Sequence, residues 1–207
     1  MVIRELKPSQ HVAGRWLAVL EDGTILRVGE NEVLEFGLYA GRTLTDEEAE
    51  AIQAAARKSA RREKALSYAG GKPTSRRDLE RKLEQWGADE AEQQAVCDRL
   101  EELGVLNDEQ YGALVVRHYA DKGYGAKKIQ DELYRRGVPR ELWADALAQL
   151  DDPAETLDRL VAARLKGQEP TREALKKVSD HLARRGFRWQ DISAALRRYG
   201  AEGEFEE

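Results

Sequence analysis

Side chains able to do acid–base or nucleophilic chemistry are few and scattered. His11, His118 and His181 are the three histidines. No His-x-x-x-His pair or carboxylate cluster gives a metal-ligand spacing, so they read as structural or surface residues and no metal is expected. Cys97 is the single cysteine. It lies between Val96 and Leu100 on an amphipathic segment, and its neighbours Asp98, Glu101 and Glu102 disfavour a thiolate, so it reads as a core or boundary cysteine. One cysteine allows no internal disulfide and no thiolate metal cluster. Gly123-Tyr124-Gly125-Ala126-Lys127-Lys128 resembles a phosphate loop only loosely, because it follows a helix rather than a strand. Two readings stay open for it. It is a plain interhelical turn, or its backbone amides and two lysines hold a phosphate or carboxylate of a partner. No catalytic residue and no cofactor is assigned. A hydrolase would need perturbed titratable groups gathered in a pocket.

Cations are abundant, and they recur. Arg76, Arg77, Arg81 and Lys82 lie on one segment, Lys127, Lys128, Arg135 and Arg136 on a second, and Lys176, Lys177, Arg184 and Arg185 on a third, with Arg172 before the last set and Arg188, Arg197 and Arg198 beyond it. On one side of a fold they would make a long basic stripe suited to a nucleic-acid backbone or an acidic protein groove. Few aromatics are interleaved, so base stacking is not strongly indicated.

The elements that must carry these cations announce themselves by a repeat. Leu83-Glu84-Gln85-Trp86-Gly87, Leu133-Tyr134-Arg135-Arg136-Gly137 and Leu182-Ala183-Arg184-Arg185-Gly186 all read Leu-x-x-x-Gly, with glycines 50 and 49 residues apart. Leu79, Ile129 and Val178 stand four residues before the leucines, which puts each apolar pair on one helical face, and the glycine suits a left-handed stop. Aligning outward predicts three helices per unit. The first unit has one helix ending near Tyr68, then 75–86 and 89–103. The second has 107–122, 126–136 and 139–150, and the third 153–166, 171–185 and 189–199. Ser75 and Asn107 read as N-caps, Pro139 and Pro153 as first-turn residues, and Thr171 opens the last middle helix. One such unit alone buries little, so stacked neighbours in an elongated, curved array are expected.

Residues 1–44 differ. Two β-rich runs, 12–20 and 24–28, flank Glu21-Asp22-Gly23 and predict a hairpin, with 2–6 as a third strand. Asn31 is placed as the cap of a short helix over 32–36, stopped by Gly37. Thr45 and Glu48 have the capping-box form. The expected organisation is a β-hairpin extension over 1–44, a linking helix over 45–69 running into the first repeat, repeats at 57–104, 105–150 and 151–200, and an acidic tail at 201–207. The fold class is mainly α.

Composition agrees. The chain has 207 residues, 41% apolar and 35% charged, as helices with narrow apolar stripes require. The net charge of −5 hides an alternation. Segments 57–87, 88–110, 111–137, 138–158 and 159–200 carry +6, −7, +3, −5 and +7. Intramolecular pairing accounts for this, or else segregated surfaces that meet a charged partner do. No apolar run approaches a membrane span, Met1 to Glu5 lack a signal-peptide stretch, and a reducing, cytoplasmic setting is expected.

Together, Leu106-Asn107-Asp108-Glu109-Gln110-Tyr111, Lys122-Gly123-Tyr124-Gly125, Ile129, Glu132-Leu133 and Gly137-Val138 resemble the central signature of the bacterial RecX family. Ser75 to Leu83 resembles that family's first-repeat motif, and Phe36-Gly37-Leu38 with Gly41 resembles an N-terminal extension that many members carry. The likeness covers about residues 60–200. It departs at Tyr111-Gly112, where a phenylalanine–alanine pair is usual, at Tyr119, a commonly basic position, and at Gly70-Gly71. The resemblance implies a non-catalytic negative regulator of the RecA recombinase. Such a protein binds the RecA–single-stranded-DNA filament and inhibits its extension, ATP hydrolysis, strand exchange and coprotease activity. Single- and double-stranded DNA are further expected partners, with no membrane partner and a monomeric state. The alternative is a general DNA-binding helical-repeat protein without recombinase specificity.

Overall fold

The computed structural model describes residues 1–167 and 170–199. The expected acidic tail lies outside the described residues. Two compact units divide the chain. Unit 1 comprises residues 1–72 and 80–102, and unit 2 comprises 73–79 with everything from 103 onward.

Unit 1 begins with β1 (Ile3–Pro8), β2 (Arg15–Leu20) and β3 (Ile25–Gly29), an antiparallel sheet in the order β1-β2-β3. The Asp-Gly turn closes the hairpin as expected. Asp22 accepts the Thr24 N–H at 2.8 Å, and Gly23 takes φ +87. Ala18, Leu20, Leu26 and Val28 turn one face of the sheet inward onto Ile3, Leu38, Leu44 and Ile52. A short helix α1 (Glu30–Glu35) follows. It begins earlier than a cap at Asn31 would allow, because the Glu32 carboxylate reaches back to the Gly29 N–H at 2.8 Å.

The helix α2 (Asp46–Gly71) is continuous for 26 residues. Thr45 and Glu48 cap it reciprocally, at 3.1 and 2.9 Å. Next come α3 (Arg76–Gln85) and α4 (Glu90–Glu102). Arg61 of α2 forms a two-pronged ion pair with Glu92 of α4, at 2.8 and 2.5 Å, and Glu92 is buried. Trp86 packs edge-on against Tyr68, with the Lys64 ammonium 4.1 Å from its ring centre.

The first turn of α3 belongs to unit 2, which adds α5 (Asp108–Asp121), α6 (Ala126–Arg135), a 3-10 turn (Arg140–Leu142), α7 (Trp143–Leu147), α8 (Ala154–Leu165), α9 (Arg172–Arg184) and α10 (Trp189–Arg198). Helices α5 to α7 enclose Val115, Val116, Ile129, Leu133 and Ala146. Helices α8 to α10 enclose Leu157, Val161, Val178, Leu182, Ile192 and Leu196. The expected helix 139–150 is corrected to a 3-10 turn followed by five α-helical residues. Pro139 accepts an i→i+3 bond from Leu142, and the Trp143 indole N–H is held by the Val138 carbonyl at 2.9 Å. Asp151-Asp152-Pro153 then stops any continuation. Gly112 leaves the space this needs, for a Cβ there would stand 3.3 Å from Val138 and 3.8 Å from Ala146.

Candidate partner-binding surface

The repeated glycines do more than end helices. Gly137 and Gly186 have φ +74 and +86, the left-handed region that favours glycine. Each also lies where the preceding middle helix begins. A Cβ on Gly137 would sit 2.8 Å from Arg77 Cβ, and one on Gly186 would collide with the Lys128 backbone nitrogen. At the first joint the Ser75 hydroxyl donates to the Arg136 carbonyl at 2.5 Å and accepts the Asp78 N–H at 3.1 Å. At the second, the Gly125 and Lys127 amides donate to the Arg185 and Gly186 carbonyls at 2.9 and 3.1 Å. Positive amino ends thus meet negative carboxyl ends, and the terminal groups that helices leave unpaired satisfy one another.

This overturns the anion-cradle reading of Gly123 to Lys128. The amides at Gly125 and Lys127 are already spent on α9. What remains at that turn is the interhelical connection.

Around α6 the cations gather on a buried carboxylate that residue spacing does not single out. Glu132 accepts from Arg135 and from the Tyr119 hydroxyl, both at 3.0 Å, with Lys128 at 3.5 Å and Arg136 at 3.8 Å. Burial opposes its ionisation, but the Tyr119 hydroxyl, Arg135 and Lys128 outweigh it and hold the carboxyl below the usual range. Arg136 also donates to the hydroxyls of Tyr111 and Tyr119, at 3.3 and 3.2 Å. These bonds raise its pKa further. Two positions where the sequence departs from the family pattern are therefore the partners of Arg136.

Arg185 is likewise engaged within the fold. Its guanidinium caps the Lys122 and Gly123 carbonyls, both at 2.8 Å, and lies over the Tyr124 ring. Expected as partner contacts, Arg136 and Arg185 also make hydrogen bonds within the fold. The sequence signal is local, since tyrosines at 111, 119 and 124 flank the same repeats, but the pairing requires the packed helices.

The other expected contact residues divide. Arg76 donates its backbone N–H to Asp108 at 2.8 Å, and Arg77 carbons lie against Gly137. Lys82 bonds Gln85 at 3.1 Å, and Arg81 is exposed on α3. Lys127, Arg135, Lys176, Lys177 and Arg184 present exposed side chains on α6 and α9. Lys177 pairs with Glu173 at 2.6 Å, and Arg184 reaches the Asp180 carbonyl at 3.1 Å.

One substitution separates the two faces. The residue 49 positions after Glu132 is His181. Burial, then the positive charges of Arg164, Arg185 and Arg184, push its pKa below the ordinary value. At matched places α6 carries an anion ringed by cations and α9 a histidine near Arg164, Arg184 and Arg185, so this part of α9 is the more electropositive. A folded-state pKa below the unfolded value means that the unfolded chain takes the proton first. Unit 2 is expected to lose stability as pH falls from about 6.5 towards the lower folded-state value. In His181→Gln that component should be missing from urea midpoints measured across the window. An identical pH slope in both proteins would contradict this.

The described residues contain no group of three or more His, Cys, Asp or Glu placed to hold a metal. Nor is any described helix long and apolar enough to cross a membrane. Fold and surface together define a helical-repeat protein with a small antiparallel sheet at its amino end and cations displayed on the middle helices. Residues 107–147 match the family model described as "RecX, second three-helix domain". A regulatory protein RecX of Xanthomonas axonopodis pv. citri is 37% identical over 137 residues, spanning 65% of this chain and 85% of its own. That of Leptothrix cholodnii is 35% identical over 136 residues, with the same shares. Among solved structures, a regulatory protein RecX superposes with a TM-score of 0.74 at 22% identity, covering 95% of this chain and 98% of its own. RecX from Lactobacillus salivarius gives 0.66 at 23%, covering 70% and 97%. The chain belongs to the RecX family and is a regulatory protein of that type.

Proposed function

We propose that this protein is a negative regulator of the RecA recombinase. It binds the RecA–single-stranded-DNA filament and restrains filament extension, ATP hydrolysis, strand exchange and coprotease activity. The repeats at 105–150 and 151–200 provide the contact. Family membership supports the partner, and the observation that supports the surface is the recurrence of exposed cations at matched places. Lys127 and Arg135 on α6 have Lys176 and Arg184 as counterparts 49 residues on. None of these four side chains is spent on a joint between repeats. Because α9 has His181 at the place where α6 has Glu132, it makes the larger contribution.

The test is RecA ATPase on single-stranded DNA with the protein titrated in. K176E/R184E is expected to weaken inhibition about tenfold or more, and K127E/R135E less. The quadruple variant should abolish it. Full inhibition by the folded quadruple variant would reject the surface. Tight, salt-sensitive binding to bare DNA without any effect on a RecA filament would favour a general DNA-binding protein instead.

A further inference from the structure

A cavity of about 400 Å³ lies in unit 1 between β3 and α2. Strand β3 is an edge of the sheet, and its residues 25–29 line the cavity in succession. Three arginines from three elements line it: Arg15 of β2, Arg27 of β3 and Arg57 of α2, the last two exposed. No ion pair engages any of the three guanidinium groups among the described residues. That sets them apart from Arg61, one turn along α2 from Arg57, which is locked to Glu92.

Two carboxylates share the cavity wall, and neither forms an ion pair with the arginines. Glu32 is 3% exposed and both its oxygens are engaged, one by the Gly29 N–H at 2.8 Å and the other by the Ser59 hydroxyl at 2.5 Å. Glu63 makes no ion pair with any of the three. Three arginines against two carboxylates, one of which is already engaged by Gly29 and Ser59, leave the wall net positive and favour an anion from solution. Guanidinium forks match a phosphate, whose several oxygens accept paired N–H donors. The rim adds exposed apolar side chains, Val12 and Ile25, suited to a sugar or base edge rather than to a free ion.

We propose that Arg15, Arg27 and Arg57 form a phosphodiester-binding site through which the N-terminal unit grips a nucleic-acid strand directly. It deepens the DNA half of the reading above and adds a second contact remote in sequence from the α6 and α9 cations. Its test uses bare DNA without recombinase, so it fails separately from the RecA reading.

The full chain is titrated onto a fluorescent single-stranded oligonucleotide, and onto its duplex, across a range of salt. In R15Q/R27Q/R57Q, losing three phosphate contacts should flatten the log–log salt slope by about 2 on the single strand and lower affinity about tenfold. A60W plugs the cavity without removing charge and should lower affinity as well. Millimolar inorganic phosphate should compete with DNA in the wild type and less in the triple variant. Equal melting temperatures show that the variants are folded. Unchanged affinity and slope in both folded variants would overturn the proposal. So would wild-type DNA binding that inorganic phosphate does not reduce.

Discussion

Gly186→Ala should destabilise unit 2 by about 3 kcal/mol or more. Part of this is backbone conformation, since a Cβ at φ +86 costs roughly 1–2 kcal/mol. The remainder is collision. The new methyl meets the Lys128 backbone nitrogen and lies 2.6 Å from its Cβ. Neither helix can shift without stretching the bonds from Gly125 and Lys127 to α9. Forced overpacking of this sort costs about 1–3 kcal/mol. Gly87 is the control. It has φ +81 but nothing within 4 Å of an added methyl, so Gly87→Ala should cost only the conformational part. Urea denaturation of both variants, with hydrogen exchange at Gly125 and Lys127, reads the difference. Equal costs at the two positions would remove the case for a tight joint.

Arg61→Ala is expected to lose about 3–5 kcal/mol, the usual cost of stranding one member of a buried ion pair. The Glu92 side chain is 3% exposed, and Arg61 supplies two of its hydrogen bonds. Removing the guanidinium leaves a carboxylate with neither water nor counter-charge. Glu92 also sits in the first turn of α4, where its N–H is capped by Asp89 at 2.8 Å, so a displaced Glu92 disturbs the start of that helix. The apolar pair R61M/E92L should recover most of the loss, because it removes both charges together. Thermal melts of the single and double variants form the check. A double variant as unstable as R61A would point to packing of the arginine stem rather than to charge.

Arg61 also shows where reading the chain alone stops. It is one of ten cations in a segment of net charge +6, indistinguishable by sequence from Arg57 beside it. The fold buries one against Glu92 and leaves the other facing a cavity. Arg198 pairs with Asp158 at 2.7 Å in the same manner, joining a basic segment to the acidic one before it. Part of the charge alternation is therefore internal pairing, and only the remainder is surface. Periodic features are legible because they are local. The Asp-Gly hairpin, the caps at Thr45, Ser75, Asn107 and Thr171, and the Leu-x-x-x-Gly stops each depend on residues within one turn of one another. The internal bonds of Arg136 and Arg185 are not legible from sequence because their partners lie 17 to 63 residues away. The 3-10 turn before α7 escapes helical spacing because it follows from Trp143 seeking a carbonyl.

The joint between α9 and α6 is made of peptide groups. Main-chain donors and acceptors join the two helices, the Arg185 guanidinium adds bonds to the turn before α6, and no side chain fits at Gly125 or Gly186. A coupling of that kind fixes a few positions and leaves most flanking residues open. Mutation can rewrite the helix faces around it, cation by cation, while the register between neighbouring repeats stays fixed. The neighbouring joint needs the Ser75 hydroxyl. Drift in composition should therefore spare Gly125, Arg185 and Gly186 at one joint and Ser75 and Gly137 at the other, while the helix faces between them change freely.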